Sequence, residues 1–254
     1  MSYAIVQTTL EKPSVDALRD AFRRVSWLTD IDASIMARDA YGIIVENQSY
    51  AQAEALSHAL ASQGIVHRMI DQVQMPELGI RHQLRRMDCM AEGPVIYDPL
   101  GRPIPGRWSD VRLVAAGLVG VREIQRSVKE RTTYRGTGWQ GGVVPVTVRE
   151  ISEKQVALDK LIMELYLGDG PTRFRVVADK FHYNYLENRV CMSHADNFAL
   201  LVRDIARYAP HALFSQGVES LVDDEITTFS YPTEHAFMEE IRWLRWMETQ
   251  RERG

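Results

Sequence analysis

Between positions 172 and 210 the spacing of apolar residues changes its period, and this change constrains the fold more than any other feature of the 254-residue chain. Apolar side chains first recur at every second position, which is typical of strands with one buried face. The alternation predicts two strands, whose buried faces carry Phe174, Val176 and Ala178 and then Phe181, Tyr183 and Tyr185.

A helix is predicted directly after these two strands. Ser193 occupies an N-cap position, Asp196 follows three residues later, and Pro210 ends the pattern. Between them the apolar residues have the spacing of one helix face: Phe198, Leu201, Val202 and Ile205. We expect this face to pack on the strands and Asp204, on the opposite side, to face solvent.

The composition is that of a folded protein, with 45% hydrophobic and 25% charged residues. The formal net charge is −4, yet residues 80–154 carry 13 basic and 8 acidic side chains between two acidic flanks. Such a segment can contact nucleic acid, anionic lipid or an acidic protein surface, and it can equally be a solvated loop that pairs with the flanks. The candidate anion contacts are Arg81, Arg85, Arg86, Arg131 and Arg135.

The two cysteines, Cys89 and Cys191, are far apart and belong to no metal-binding motif, so reduced thiols are expected. The first residues lack the pattern of a signal peptide, and no apolar stretch reaches the roughly 18–20 residues that cross a bilayer. A cytoplasmic protein is therefore predicted.

Neither a cofactor nor a metal site is expected from the sequence. The histidines show no helix-face spacing such as HxxxH, which indicates surface or capping roles. The glycine-rich segment at 135–142 lacks the Lys-Ser/Thr pair and the following helix that a phosphate-binding loop requires. No arrangement of nucleophile and base stands out, so no catalytic residue is assigned.

Residues 1–75 predict a compact β-α-α-β-α-β sandwich with helices on one sheet face. Thr29 with Asp32 and Ser49 with Gln52 mark two helix starts, and Gly64 marks a helix end. The predicted order is a strand at 3–9, a helix after Ser14, a helix after Thr29, a strand at 41–46, a helix at 49–64 and a strand at 65–71.

The stretch VDALRDAFRRVSWLTDIDASIMARDAYGIIVENQSYAQAEALSHALASQGIVHRMID resembles the C-terminal domain of the bacterial ribosomal stalk protein and its structural relative, the Clp protease adaptor. The resemblance lies in element order, helix spacing and the "AEAL..AL...G" helix before the last strand, over residues 3–71. It implies a small, non-catalytic docking module in a bacterial protein.

Residues 76–92 have no clear apolar period and are predicted to be an inter-domain linker. Residues 93–212 predict a mostly antiparallel β domain that a helix closes, with a flexible loop or hairpin excursion at 122–156. Gly117 and Gly120 interrupt an apolar strand and indicate close backbone approach. The layout, with the stretches "W.DV" at Trp108 and "DNFALLVRDIA", resembles a bacterial pleckstrin-homology-like domain.

Residues 213–254 are predicted to be a C-terminal extension with an amphipathic helix at 234–250. Its apolar arc is wider than packing on one small domain requires. We expect the excess to contact the N-terminal module or a second chain, which includes a homo-oligomer. The candidate partner contacts are Phe237, Ile241, Trp243, Leu244 and Trp246.

Taken together, the sequence predicts an α+β protein that acts by protein–protein contact as an adaptor or scaffold and not by catalysis. One alternative is an anion-binding protein that uses the basic middle segment for nucleic acid or phospholipid. The other is an enzyme without a recognisable motif.

Overall fold

The computed structural model describes residues 1–137, 142–168, 170, 172–223 and 229–251. It has the α+β fold that the sequence predicts. The helices are α1 Val15–Phe22, α2 Asp30–Asp39, α3 Tyr50–Ser62, α4 His194–Tyr208, α5 Gln216–Val222 and α6 Glu234–Arg251. The strands are β1 Tyr3–Gln7, β2 Ile43–Gln48, β3 His67–Asp71, β4 Ile80–Gln83, β5 Met87–Met90, β6 Gly93–Tyr97, β7 Pro103–Pro105, β8 Val111–Thr137, β9 Gly142–Leu167, β10 Thr172–Val177, β11 Leu213–Phe214 and β12 Ser230–Tyr231.

The N-terminal module has the predicted β-α-α-β-α-β order, with a three-stranded antiparallel sheet in the order β2-β1-β3. Thr29 and Ser49 each form a capping box at the start of a helix. Gly64 follows α3 with a φ of 72°, the left-handed conformation that ends many helices. Helices α1 to α3 cover one sheet face through the buried side chains of Leu18, Phe22, Ala33, Leu56 and Leu60.

The central sheet has the strand order β11-β8-β9-β10-β4, and β12 also pairs with β8. Strands β8, β9 and β10 are antiparallel neighbours, whereas β4 is parallel to β10. Strands β5, β6 and β7 form a separate small antiparallel sheet. Helices α4 and α5 cover one face of the central sheet.

Helix α6 packs against the other face of the central sheet and also against the N-terminal sheet. One apolar cluster joins Ala4 and Val6 of β1, Leu113 and Ala115 of β8, and the buried side of α6. The two modules therefore share a continuous core, because α6 has apolar contacts on both sides.

The range predicted to be a linker, 76–92, instead contains β4 and β5. Leu84 and Met87 in this range are buried in the core beneath α4. Strand β4 is an edge strand whose four side chains are all exposed, so the segment has no apolar alternation. An exposed edge strand therefore resembles a linker when only hydrophobic periodicity is considered.

The strand predicted at 181–185 is wrong, because the chain leaves the sheet after Val177. Short 3-10 helices at Ala178–Lys180 and Asn184–Arg189 occupy this region. Phe181 and Tyr183 are nevertheless buried, and the Tyr183 hydroxyl donates a hydrogen bond to the Ala178 carbonyl at 3.0 Å. The alternation correctly indicated the burial of Phe181 and Tyr183, whereas Tyr185 is only partly buried. Burial at every second position does not require a sheet ladder.

The two glycines of β8 have the close backbone approach that the sequence indicates. A Cβ on Gly117 would lie 2.6 Å from the Tyr231 ring, and one on Gly120 would lie 2.5 Å from the Pro232 carbonyl oxygen. Strand β12 can therefore lie against β8 only because these positions lack side chains.

Asp204 on α4 does not face solvent, contrary to the expectation from helical periodicity. It is buried, and its two carboxylate oxygens accept hydrogen bonds from Arg189 at 3.0 and 2.8 Å. The Tyr185 hydroxyl donates a third hydrogen bond at 3.0 Å. The loop between β10 and α4 folds back over this side of the helix. The periodicity of the helix alone cannot predict this contact, because it considers only residues within α4.

We therefore predict that Asp204→Ala lowers the free energy of unfolding by about 1.5–3 kcal/mol, since it removes charge-assisted hydrogen bonds from two partners. Asp196→Ala is the matched control, because Asp196 is exposed in the first turn of the same helix and its effect should stay below about 1 kcal/mol. Urea unfolding followed by circular dichroism measures both. Equal effects would contradict the structural role of the Asp204 contacts.

Candidate functional site

The two longest strands of the protein extend far beyond the central sheet. Strand β12 pairs with β8 only at Leu118 and Val119, and β10 reaches along β9 only to Ile162. From Gly120 to the hairpin end, the described residues of β8 and β9 pair only with each other, and their register contains no shift there. For residues 122–156 the sequence predicts either a loop or a hairpin, and the described residues form the two paired strands of a hairpin. We call residues 122–156 the arm. At about 3.3 Å per residue the arm is about 50 Å long.

Contacts with the central sheet fix the base of the arm. Val121 is buried, and the Lys160 ammonium forms an ion pair with the Glu123 carboxylate. The hydrogen bond from Lys160 lowers the pKa of Glu123 below its ordinary value. Residues 138–141, which include Trp139 and part of the glycine-rich segment, lie outside the described residues.

One face of the arm exposes apolar side chains. Ile124 is 64% exposed and Val128 is 57% exposed. They point to the same side because side chains separated by an even number of positions share a face in a strand. On this same face Glu130 and Arg149, which are directly opposite in the register, form an ion pair at 2.7 Å. We call this side, with Ile124 and Val128, the apolar face of the arm.

The other face exposes positive charge. Lys129 and Arg131 lie on it, and so does Lys154, because Lys154 is directly opposite Gln125 in the register. All three side chains are exposed, and none has an ion-pair partner among the described residues. We call this side, with Lys129, Arg131 and Lys154, the cationic face of the arm.

The structure does not bring the five predicted anion contacts together. Arg131 lies on the cationic face, and the backbone of Arg135 pairs with Val144 nearer the hairpin end, whereas the side chain of Arg135 is outside the described residues. The other three, Arg81, Arg85 and Arg86, belong to β4 and the turn that follows it, at the edge of the central sheet.

Two of these three edge arginines are engaged within the protein. The Arg86 guanidinium lies 3.9 Å from the centre of the Tyr97 ring and 3.4 Å from the Asp88 carboxylate. Arg81 is 3.4 Å from Glu234 at the start of α6. Arg85 is exposed and has no side-chain partner in the described part of the chain. Internal contacts therefore account for most of the charge at this edge.

The structure buries all five predicted partner contacts on α6. The side chains of Phe237, Ile241, Trp243, Leu244 and Trp246 are at most 1% exposed. The Trp243 indole N–H donates a hydrogen bond to the Gln7 carbonyl at 2.8 Å, and the Trp243 ring meets the Tyr41 ring edge-on at 5.0 Å. The wide apolar arc of α6 thus contacts the N-terminal module, which is one of the two partners expected for it. Because the five side chains are covered, a second chain could reach them only if this core opened.

A buried ionic cluster lies under the start of α6, and sequence analysis did not identify it. Glu164 is fully buried; it forms an ion pair with Arg175 and lies 3.5 Å from Arg173. Arg175 also pairs with Glu234 of α6. Burial raises the pKa of Glu164, although the two guanidinium groups oppose the shift. The cluster joins β9, β10 and α6, so its role is to hold the helix on the sheet.

A cleft of about 310 Å³ lies at the junction of the two modules. Glu240 lines it, and its carboxylate accepts hydrogen bonds from the Gln216 amide at 2.8 Å and the Tyr231 hydroxyl at 2.7 Å. Burial raises the pKa of Glu240. Since both carboxylate oxygens are bonded within the protein, these contacts support the packing of α6 on α5 and β12.

Within the described ranges, no three histidine, cysteine or acidic side chains lie close enough to share a metal ion. Among the same residues, none of the helices combines the length and the apolar character needed to cross a bilayer.

Ile124 and Val128 are the main surface residues that sequence analysis missed. Their only signal is their even spacing in a polar segment, and two residues do not establish a period. Comparison of the chain with family models, with curated protein sequences and with solved structures gives no match.

Proposed function

We propose that this protein acts by binding another protein, as a non-catalytic adaptor or scaffold, and that the apolar face of the arm is its contact surface. The observation that carries the proposal is a ribbon about 50 Å long that exposes Ile124 and Val128 without cover from the rest of the described chain.

An uncovered ribbon of this kind is a marginal structure on its own. Isolated two-stranded hairpins are barely stable in water, because too few side chains leave the solvent to offset the ordering of the backbone. Contact with a partner would remove Ile124 and Val128 from water and would stabilise the arm at the same time. Binding and ordering of the arm are therefore expected to be coupled.

The charge pattern of the apolar face suits a protein surface. Glu130 and Arg149 neutralise each other beside the exposed apolar pair. Between Ile124 and Val128 the same row holds Arg126, and Glu153 is directly opposite Arg126 in the register. The charges in these rows therefore sum to zero, which suits an interface because charged residues are depleted at the centres of protein interfaces. The free backbone edges of the arm offer further hydrogen bonds to an added strand.

We also propose that the protein is cytoplasmic, as the sequence predicts. Cys89 is buried as a free thiol and Cys191 is exposed as a free thiol. A reducing compartment keeps an exposed cysteine in this state.

Site-specific photo-crosslinking in native lysate tests the proposed contact. A photoreactive amino acid at Ile124 or at Val128 should yield an adduct with the same partner protein in both cases. The matched controls are Val73 and Val190, which are 85% and 50% exposed and lie off the arm. Exposure to lysate proteins is comparable at these positions, so they report non-specific capture.

Two results would count against the proposal. The first is the absence of any adduct from the arm positions. The second is the recovery of the same adducts from Val73 and Val190, which would mean that the crosslinks reflect exposure alone. As an independent check, Ile124→Asp with Val128→Asp should remove the partner from an affinity capture at high salt, while Val190→Asp should retain it.

A further inference from the structure

The cationic face of the arm lies opposite the proposed protein contact, and its positive charge suits an anionic partner. We infer that Lys129, Arg131 and Lys154 bind the phosphate backbone of a double-helical nucleic acid. This site goes beyond the proposed function, since it uses the other face of the arm and a different kind of interaction.

Positive charge is concentrated on the arm in a protein that is acidic elsewhere. Residues 122–156 carry seven basic and four acidic side chains, whereas the remainder of the chain carries 23 basic and 30 acidic ones. From Arg131 to Arg149 there are three arginines and no acidic residue. The charge therefore becomes more positive toward the end of the arm.

The three cations of the cationic face have no ion-pair partner among the described side chains. Glu123 is engaged by Lys160, and Glu130 is engaged by Arg149 on the opposite face. Glu150 is opposite Lys129 in the backbone register, and Lys129 forms no ion pair with a side chain that the structure describes. Each of the three cations thus has its charge available for an external anion.

The geometry of the arm matches a linear polyanion. Lys154 of β9 is directly opposite Gln125 of β8. Along β8, Lys129 lies four positions beyond Gln125, and Arg131 lies two positions beyond Lys129. At about 3.3 Å per residue the three cations form a row about 20 Å long. This length corresponds to about six base pairs of a duplex, and a two-stranded ribbon fits the major groove, which is about 12 Å wide.

The distance of the cationic face from the body favours a nucleic acid over a membrane. Charges are screened beyond about 8 Å at physiological salt, and at about 3.3 Å per residue the three cations lie about 13–33 Å along the arm from the buried Val121 at its base. A duplex can contact these cations while the acidic body stays beyond one screening length. A flat anionic bilayer that lay along the arm would also meet the acidic body, which would oppose binding.

Fluorescence anisotropy with a labelled mixed-sequence duplex of about 20 base pairs tests this site. The test variant of the full chain combines Lys129→Glu, Arg131→Glu and Lys154→Glu. The matched control combines Lys12→Glu, Arg85→Glu and Arg207→Glu, three exposed cations off the arm, and it changes the net charge by the same amount.

The parent protein should bind the duplex with an affinity that falls steeply between about 50 and 200 mM salt. The arm variant should weaken binding at least about tenfold, and its slope of log affinity against log salt should be smaller by about 2–3, since three phosphate contacts are lost. The control variant should stay within about threefold of the parent, because its charges lie outside the contact.

Several outcomes would overturn the inference. These are no duplex binding by the parent, equal loss in the control variant, or binding to vesicles with phosphatidylserine in place of the duplex. If the charge reversal disturbs folding, the corresponding triple serine variant removes the same three cations without adding negative charge. The variant Ile124→Asp with Val128→Asp should retain duplex binding, so failure at one face can be distinguished from failure at the other.

Discussion

Replacement of Trp243 by Ala is expected to lower the free energy of unfolding by about 3–5 kcal/mol. Trp243 is fully buried between the two modules, and its indole N–H is bonded to the Gln7 carbonyl. A Cβ on Gly42 would lie 2.5 Å from the Trp243 ring, so the N-terminal module is packed directly on the indole. Alanine would leave a large cavity and an unpaired buried carbonyl at this contact.

Urea unfolding of the full chain measures this effect, and Trp243→Phe separates its two causes. Phenylalanine retains most of the apolar volume but not the hydrogen bond, so its effect should be about 1–2 kcal/mol. Because the modules share one core, probes in each of them should report the same transition. A variant in which only one module loses stability, or in which neither does, would contradict the role given to α6.

Replacement of Glu164 by Ala is expected to lower the free energy of unfolding by a similar amount, about 3–5 kcal/mol. Glu164 is the buried carboxylate between Arg173 and Arg175, both of which are themselves buried. Without it, Arg173 would keep no acidic partner among its described contacts, and Arg175 would retain only Glu234. A buried charge left without its partner lowers the stability of the fold by more than the intact ion pair contributes to it.

The combined variant Glu164→Leu, Arg173→Leu and Arg175→Met provides the control for this prediction. It removes the carboxylate and both guanidinium groups together, so it should recover most of the stability that Glu164→Ala loses. Thermal unfolding of the three proteins, with the parent as reference, gives the comparison. If the combined variant is no more stable than Glu164→Ala, the loss arises from packing and not from buried charge.

The N-terminal module could be predicted from the sequence because its signals are local. Capping residues such as Thr29 and Ser49 act within one helical turn, and Gly64 ends α3 through its own backbone conformation. The same holds for α4, whose N-cap Ser193 accepts hydrogen bonds from the amides of the first turn. Each of these features depends on neighbours within four residues.

The charged residues of the central sheet could not be interpreted in this way. Alternation places Arg173 and Arg175 on the face opposite Phe174 and Val176, and a sheet with one covered face would expose them to solvent. The structure covers both faces, because α6 returns from the end of the chain and packs over the arginines. Contacts between residues about 60 positions apart leave no periodic signal in either segment.

The arm shows a different limit of sequence analysis. Its segment could be recognised as an excursion from the β domain, but the choice between a loop and a hairpin remained open. A ribbon with both faces in solvent needs no apolar alternation, so its strands have a mixed pattern that periodicity does not detect. Its two faces became visible only from the register that pairs Val128 with Ile151 and Gln125 with Lys154.

Deletion of the arm tests most directly whether it, and not α6, is the contact surface of the protein. In this variant Asn-Gly replaces residues 123–156 and joins Arg122 to Ala157, which are already paired in the register. Quantitative affinity capture from native lysate compares the variant with the parent, and its unfolding temperature shows whether the body is intact. The account predicts an unfolding temperature close to that of the parent, with loss of the captured partner. Retention of the same partner by a folded body without the arm would contradict it.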